Sequence, residues 1–445
     1  MNSLKTTLQK LLYYPSALMG ILVVLLLVFT AIYAMVKIPY QEAIRLWRGG
    51  EEVWYQNPKF APPAWFNLFS SKKYSESFAV RTSDGSMDKT VTQESPEISM
   101  FAMSYPFDFS YDAYPQEMIL YVTSNYQEKQ PFLSVEWLTP DGRTVRIANL
   151  SITEKETYRF SQDEKLKARL KTEDVIPALF SLPGTDAPLK GRYQLQITGT
   201  TFEPNSDIDV EFVFHGQVYG LAGTDQSRRD LVIPLLWGAP VALAFGLLAS
   251  LGTLVLTMVI AAIGTWYGGW VDELIQRITE INLVLPFLSI LIMVGTFYSR
   301  SIWVILGVTI LLSIFTGAIK GYRSIFLQVK ESGYIEAARA YGASNLRIVF
   351  VYLIPRMIPL LIPGLVSSVP AFVFLEASLA VLGLGDPVLP TWGKIIEDAN
   401  ANGALYRGYY YWIMEPAALL MVTGLGFAML GFALDRIFNP KLRDL

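Results

Sequence analysis

At 445 residues the chain is too long for one small domain, and its 17% charged residues against 52% apolar fall short of the usual quarter for soluble proteins. A net charge of −3 leaves no strong global field to draw nucleic acid. With no Cys, disulfides, thiolate zinc sites and thiol nucleophiles are excluded together, and the lone His215 reads as a solvated surface residue rather than a ligand.

Ser16 to Val36 is uncharged. At about 1.5 Å per residue such a helix crosses a hydrocarbon core of roughly 30 Å. A signal peptide would have a shorter apolar region, and no small-residue cleavage site follows Val36. Residues 1–40 therefore read as a short cytoplasmic segment and an uncleaved membrane helix. The next stretch, 41–72, is rich in aromatics: Trp47, Trp54, Tyr55, Trp65, Phe66 and Phe69. Two readings stand, a place in the lipid headgroup layer or packing against the domain that follows.

Residues 41–222 are too long for a connecting loop. From about 98 to 219 the pattern is period two, with strands predicted at 118–124, 132–138, 144–149, 193–198 and 208–214. Thr139-Pro-Asp-Gly142 and Pro204-Asn-Ser-Asp207 supply turns, and the charged stretch 162–179 predicts a helix. This spacing predicts an all-β sandwich inserted over 73–219, held by its own core. It is either a docking or substrate-guiding module or a structural brace. The strand signals show no paired carboxylates, metal cluster or Ser–His arrangement to support an enzyme. Just after it stand Asp225, Arg228, Arg229 and Asp230, which either pair with one another or help to close an outer gate.

The core, 220–445, carries five further apolar spans at about 240–266, 283–299, 301–319, 357–382 and 414–433. Pro286 lies in the second of these and Pro359, Pro363 and Pro370 in the fourth, but neighbouring helices can satisfy the backbone groups that proline frees. Six membrane helices put both termini on one side. Loop 320–356 carries Lys320, Arg323, Lys330, Arg339, Arg347 and Arg356 against Glu331 and Glu336. Lys5, Lys10, Arg436, Lys441 and Arg443 share its side, which is therefore cytoplasmic, and 41–222 is extracytoplasmic. Glu376 sits near the end of an apolar span, where it lines a pathway, braces a gate or pairs with a backbone or Arg partner.

Within the basic loop, Tyr334-Ile-Glu-Ala-Ala-Arg-Ala-Tyr-Gly342 predicts a helix from about Lys330 to Tyr341 that sets Tyr334, Ala337, Ala338 and Tyr341 on one face. Gly342 suits the left-handed position past the helix end, and Ser344 caps a second helix to about Leu353. The product is a two-helix elbow stiff enough to transmit a push. No Gly-x4-Gly-Lys-Ser/Thr loop occurs, so ATP is expected on another polypeptide.

The loop resembles the Glu-Ala-Ala motif of ABC importer permeases, with Pro355 at the expected distance. More widely the chain resembles the C-type permease subunit of the dipeptide/oligopeptide/nickel transport family. Gly223-Thr-Asp-Gln-Ser-Arg-Arg-Asp230, Gly238-Ala239, Tyr267-Gly-Gly-Trp-Val-Asp272 with Arg277 and Pro286, 375–385, Thr391-Trp-Gly393 and 434–440 carry the likeness. It covers about 1–69 and 220–445. Tyr352 stands where the family has an apolar residue, usually Ile, and Ser227-Arg228 where it shows Gly-Arg one register apart. Pro62-Pro63 resembles a segment that runs almost directly into Gly-Thr-Asp in the family, whereas here some 150 residues intervene.

The resemblance implies an α-helical membrane permease in the cell inner or plasma membrane, not itself catalytic. It implies a second permease subunit, two ATP-binding subunits that hold ATP and Mg, and an extracytoplasmic solute-binding protein. Glu336, Ala337, Ala338, Arg339, Gly342, Ala343 and Pro355 become the ATPase-coupling residues. Peptides are the implied solute, with nickel or another small solute as the alternative. A sensor with an outer ligand domain is the competing class, and an exporter sharing the same core is a third.

Overall fold

The structure, a computed structural model, describes residues 14–438. The basic residues Lys5, Lys10, Lys441 and Arg443 and the tail from Asn439 lie outside the described residues. The chain divides into two compact units, one of residues 14–48 with 233–438, the other of Gly49–Val232.

The first unit opens with helix α1 (Pro15–Lys37) and the short helix α2 (Tyr40–Arg48), which buries Ala43 and Trp47. The second unit follows. Its strands are β1 (Phe78–Arg81), β2 (Asp88–Gln93), β3 (Ser99–Phe109), β4 (Glu117–Asn125), β5 (Phe132–Leu138), β6 (Thr144–Ser151), β7 (Lys155–Arg159), β8 (Gly191–Thr201) and β9 (Asp207–His215). Between β7 and β8 lie helices α3 (Glu164–Leu170) and α4 (Val175–Phe180). The strands form two antiparallel sheets, ordered β1-β9-β4-β7 and β2-β3-β8-β5-β6.

One core joins the two sheets. Met118, Leu120, Phe212 and Phe214 come from the first, and Met103, Val135, Trp137 and Tyr193 from the second. Trp137, Phe180 and Tyr193 pack edge and face within 5.6 Å of one another, which adds geometry to apolar burial. Their polar atoms are satisfied: the Trp137 indole donates to the Leu179 carbonyl at 3.3 Å and the Tyr193 hydroxyl to that of Leu189 at 2.7 Å. The predicted turn joins β5 to β6, with Gly142 at φ +83° and its amide bonded to the Thr139 carbonyl at 3.0 Å. The helix expected over 162–179 is two helices, because Lys171 turns left-handed at φ 54° and ends α3.

The first unit resumes with α5 (Val232–Tyr267), α6 (Gly269–Val284), α7 (Phe287–Phe297), α8 (Ile302–Ile314), α9 (Gly317–Lys330), α10 (Gly333–Ala340), α11 (Ile354–Leu379), α12 (Trp392–Ala401) and α13 (Tyr411–Phe438). A π-turn adjoins each end of α11, Ile348–Leu353 before it and Ala380–Leu384 after it. Among the described residues four helices are long and apolar enough to cross a membrane, and the count reaches six if each of two bent pairs is one span. The spans expected at 283–299 and 301–319 are those pairs, bent by 79° at Pro286 and by 49° near Phe315. Neither α7 nor α8 alone, at about 1.5 Å per residue, reaches a roughly 30 Å hydrocarbon thickness. Helix α11 holds four prolines, Pro355 in its first turn and Pro359, Pro363 and Pro370 inside it. In the turn before Pro370, Ser250 of α5 donates to the Leu365 carbonyl at 2.8 Å.

Small residues let α1 and α13 approach closely. A Cβ built on Gly20 of α1 would stand 2.7 Å from the backbone nitrogen of Leu430 in α13, and one on Gly426 would stand 2.4 Å from Val23. Backbone cannot step aside as a side-chain tip can. Gly20→Ala is expected to cost about 1–3 kcal/mol by overpacking. Gly307→Ala, at a site open within 4 Å, is expected to leave stability unchanged or slightly raised. Thermal unfolding of the detergent-solubilised variants checks this, and equal melting temperatures would refute the contact.

Candidate functional site

The elbow is built from three local rules. Ser332 precedes α10, and the helix starts there rather than at Lys330 because α9 has already ended at Glu331. Gly342 ends the elbow's first arm at φ +78°, a conformation that costs a side chain but not glycine. Ser344 then caps the next helical stretch by accepting from the Arg347 amide at 3.4 Å. The second arm does not stop at Leu353 as expected from sequence but runs through its π-turn into α11.

The predicted coupling residues divide by burial. Ile335 and Ala338 face inward, while Tyr334, Glu336, Ala337, Arg339, Gly342 and Pro355 are exposed and Ala343 is partly covered. Tyr341 is 92% exposed. Ala338 thus leaves the outer face on which helical spacing had set it beside Ala337. Inward, Ile335 joins Ile348, Val349 and Leu353 in a cluster with Trp266, Ile319 and Phe326. The Arg339 guanidinium lies 4.5 Å from the centre of the Trp266 ring. Lys330 donates to the Thr265 and Trp266 carbonyls at 2.9 and 3.1 Å, where the end of α5 carries partial negative charge. Arg323 of α9 grips Asp272 of α6 with two nitrogens, the Nε contact being 2.8 Å. Sequence reasoning passed over Trp266 and the Arg323–Asp272 clamp. The one available signal was an unpaired acid, Asp272, facing a basic loop.

Glu376 lies near the other end of α11, roughly 30 Å from Pro355 at helical rise, so the two do not form one site. It is buried beside the Thr391 hydroxyl, with Asp386 near. Arg300 also lines this small cavity. Asp386 in turn accepts from the Ile302 amide at 2.9 Å and fixes the start of α8. The Thr391-Trp-Gly393 segment explains itself here. The Trp392 indole donates to the Leu235 carbonyl at 2.8 Å and lies where a Cβ on Gly238 would be, and Gly393 meets the Ala377 backbone.

In the second unit the four predicted outer charges take different partners. Asp225 is fully buried, receives Arg229 Nε at 2.5 Å, and accepts from the Ser227 and Arg229 amides at 2.8 and 3.0 Å. Burial pushes its pKa up and the Arg229 guanidinium opposes that. Arg228 turns away at φ +63°, donates to the Asn57 carbonyl at 2.6 Å and lies 3.8 Å from Glu51. Asp230 accepts from the Val232 amide at 2.9 Å, and burial raises its pKa. Only Asp225 and Arg229 are brought together.

His215 overturns its expected surface position. It is 1% exposed at the end of β9, where the chain at Tyr55 and the Arg228 side chain lie against its ring. Its Nε2 meets the Tyr55 carbonyl at 2.9 Å, which assigns the proton to Nε2, and Nδ1 accepts from Arg228 at 3.3 Å. Burial first, then Arg228, lower its pKa from 6.5 to about 4.

Comparison with known proteins adds three observations. A family model described as "Binding-protein-dependent transport system inner membrane component" matches residues 253–444, after the second unit ends. The chain is 30% identical over 225 residues to a dipeptide transport system permease protein of Alkalihalophilus pseudofirmus, covering 50% of this chain and 72% of that one. It is 28% identical over 309 residues to an oligopeptide transport system permease protein of Bacillus subtilis, covering 68% and 94%.

The His215 environment carries a pH dependence. Its folded pKa is depressed, so between pH 6.5 and about 4 the unfolded unit binds a proton that the folded one refuses. The stabilisation is whole above pH 6.5 and falls with pH, by about 3 kcal/mol in all. Hydrogen exchange of β9 in the full chain should lose protection from pH 7 to 4.5. In His215→Gln, which keeps a donor for Tyr55, that loss should flatten. Identical profiles would refute the assignment.

Proposed function

Because the chain belongs to the family of binding-protein-dependent transport system inner membrane components, we propose that it forms half of the membrane pathway of an ATP-driven importer for peptides. The chain is a permease and not a catalyst; ATP hydrolysis belongs to partner subunits. The peptide solute is supported by the printed names of its relatives, dipeptide and oligopeptide permeases. The complex would hold a second permease subunit, two ATP-binding subunits that take ATP and Mg, and a solute-binding protein. With six spans, counting each bent pair as one, the basic elbow would lie in the cytoplasm and Gly49–Val232 outside; the excess of Lys and Arg in the elbow's loop supports that orientation.

The observation that carries the reading is the elbow. Its outer face presents Tyr334, Glu336, Ala337 and Tyr341 to a partner, while its inner face is locked to the ends of α5 and α9. Ala337 and Gly342 leave room for a close backbone approach, and Glu336 offers an acceptor. Arg339 is a strut under this reading, because it already lies over Trp266. When the ATP-binding subunits close, the elbow moves with them. Its second arm is continuous with α11, so the displacement reaches the far end of that helix, where Glu376, Thr391 and Asp386 hold the outer loop. The spans then alternate between outward and inward openings. Asp225, Arg228, Arg229 and Asp230 brace the outer unit rather than act as a moving gate, since each already has a fixed partner.

Gly342→Val tests the handle. A Cβ there meets nothing within 4 Å, so packing inside this chain is undisturbed. The left-handed backbone is strained by roughly 1–2 kcal/mol, and the docking face gains bulk. The variant should assemble in the membrane yet lose about tenfold of its peptide-stimulated ATPase rate, an energy of about 1.4 kcal/mol. Undiminished stimulation would refute the coupling role.

A further inference from the structure

We infer that the outer unit carries a lipid-docking face made by Trp65, Leu68, Phe69 and Leu221 and flanked by Lys72 and Lys73. It seats in the headgroup layer of an anionic bilayer, and it stands independently of any solute assignment. Leu68, Phe69 and Leu221 are 80%, 83% and 76% exposed, values at odds with the aromatic core a few residues away. Trp65 links Phe69 to the Leu221 backbone, and Leu68 precedes Phe69 in the chain. The Trp65 indole donates to the Leu221 carbonyl at 2.9 Å, and the Trp65 and Phe69 rings meet edge to face at 6.2 Å.

The face is held, not frayed. Residues Ala64–Leu68 form a 3-10 turn whose Ala64 amide bonds to the Gly220 carbonyl at 2.9 Å. Asn67 closes the following loop on both sides of Tyr74, at 3.0 and 2.8 Å. A fold that fixes large apolar side chains outward maintains a standing cost in water, which contact with a partner surface removes. Tyr55, by contrast, is used within the unit: its ring meets Tyr121 edge-on at 4.8 Å, and its hydroxyl donates to Glu211 at 2.9 Å. The segment thus divides between the two positions expected for it.

Lipid is the occupant that fits. Both chain connections of the unit lead into the membrane unit, so it is tethered to the bilayer at both ends. Trp, Phe and Leu beside Lys is the composition that favours the interfacial layer. Lys72 and Lys73 are exposed and form no ion pair among the described residues, although the Asp112 carboxylate accepts from the Lys73 amide at 2.9 Å. Their charge complements anionic headgroups.

The absence of Cys makes the test free of background. Leu68→Cys, Phe69→Cys and, as a control on the sandwich, Val91→Cys are spin-labelled in the full chain. Each is reconstituted in nanodiscs with anionic lipid. Relaxation by oxygen, which partitions into lipid, is compared with relaxation by a water-soluble paramagnetic chelate. Labels at 68 and 69 should favour oxygen several-fold, and the label at 91 the chelate. Chelate preference at 68 and 69 would overturn the inference, and so would shielding from both agents, which would mean a protein cover. Weaker oxygen preference in zwitterionic lipid is expected; an unchanged one would remove the two lysines from the face.

Discussion

The apolar seam beneath the elbow fixes the elbow to the helices behind it. Ile335, Ile348, Val349 and Leu353 are buried with Trp266, Ile319 and Phe326. Each such side chain contributes roughly 1.5–3 kcal/mol on burial. That is enough to keep a short helix folded that would be marginal alone in water. Arg339 over Trp266 and Lys330 on the last carbonyls of α5 add direction to the seam, because both fix the angle at which it meets the helix end. Close-packed matter resists compression, so an elbow seated this way passes displacement on instead of absorbing it.

The outer unit solves a different problem. It must fold without a disulfide, and it does so with a large aromatic core. Trp137, Phe180 and Tyr193 stand between the two sheets, and Phe109 and Phe214 close the cluster. The loop 223–231 is stitched to the segment 57–64. Thr224 bonds to the Pro58 carbonyl and the Ala61 amide at 2.8 and 3.0 Å, and Asn57 to the Arg228 carbonyl at 3.0 Å. Arg228 occupies a left-handed conformation in this loop, beside the position where the related family was expected to show glycine.

What the sequence made legible follows from which forces are local. Strand β5 was expected over its observed residues because it alternates inward and outward along its length. Strand β2 escaped notice because it is an edge strand exposed on nearly every residue, and β7 because Lys155–Arg159 is almost wholly polar. Long apolar helices were plain, but the bends at Pro286 and Phe315 were not, since tertiary packing decides whether a break becomes a kink or an angle. The Asp225–Arg229 pair was among the partnerships weighed from sequence; the burial of His215 was not. Nothing in its neighbourhood announced that Tyr55 and Arg228 would lie against its ring. Gly342, by contrast, could be read in advance, because one backbone angle dictated it.

The π-turn that precedes α11 has a geometric effect. A π-turn spends one residue more than an α-turn over nearly the same rise, and one residue is worth about 100° of azimuth. Side chains before Ile348 and between Ile354 and Leu379 are therefore phased separately around the axis, whereas Gly383 at φ +82° breaks the helix at its far end. The rod stays continuous through its start while each of these sectors points where its own neighbours require. A helix of perfect 3.6-residue period would have forced a single compromise bearing on all of them.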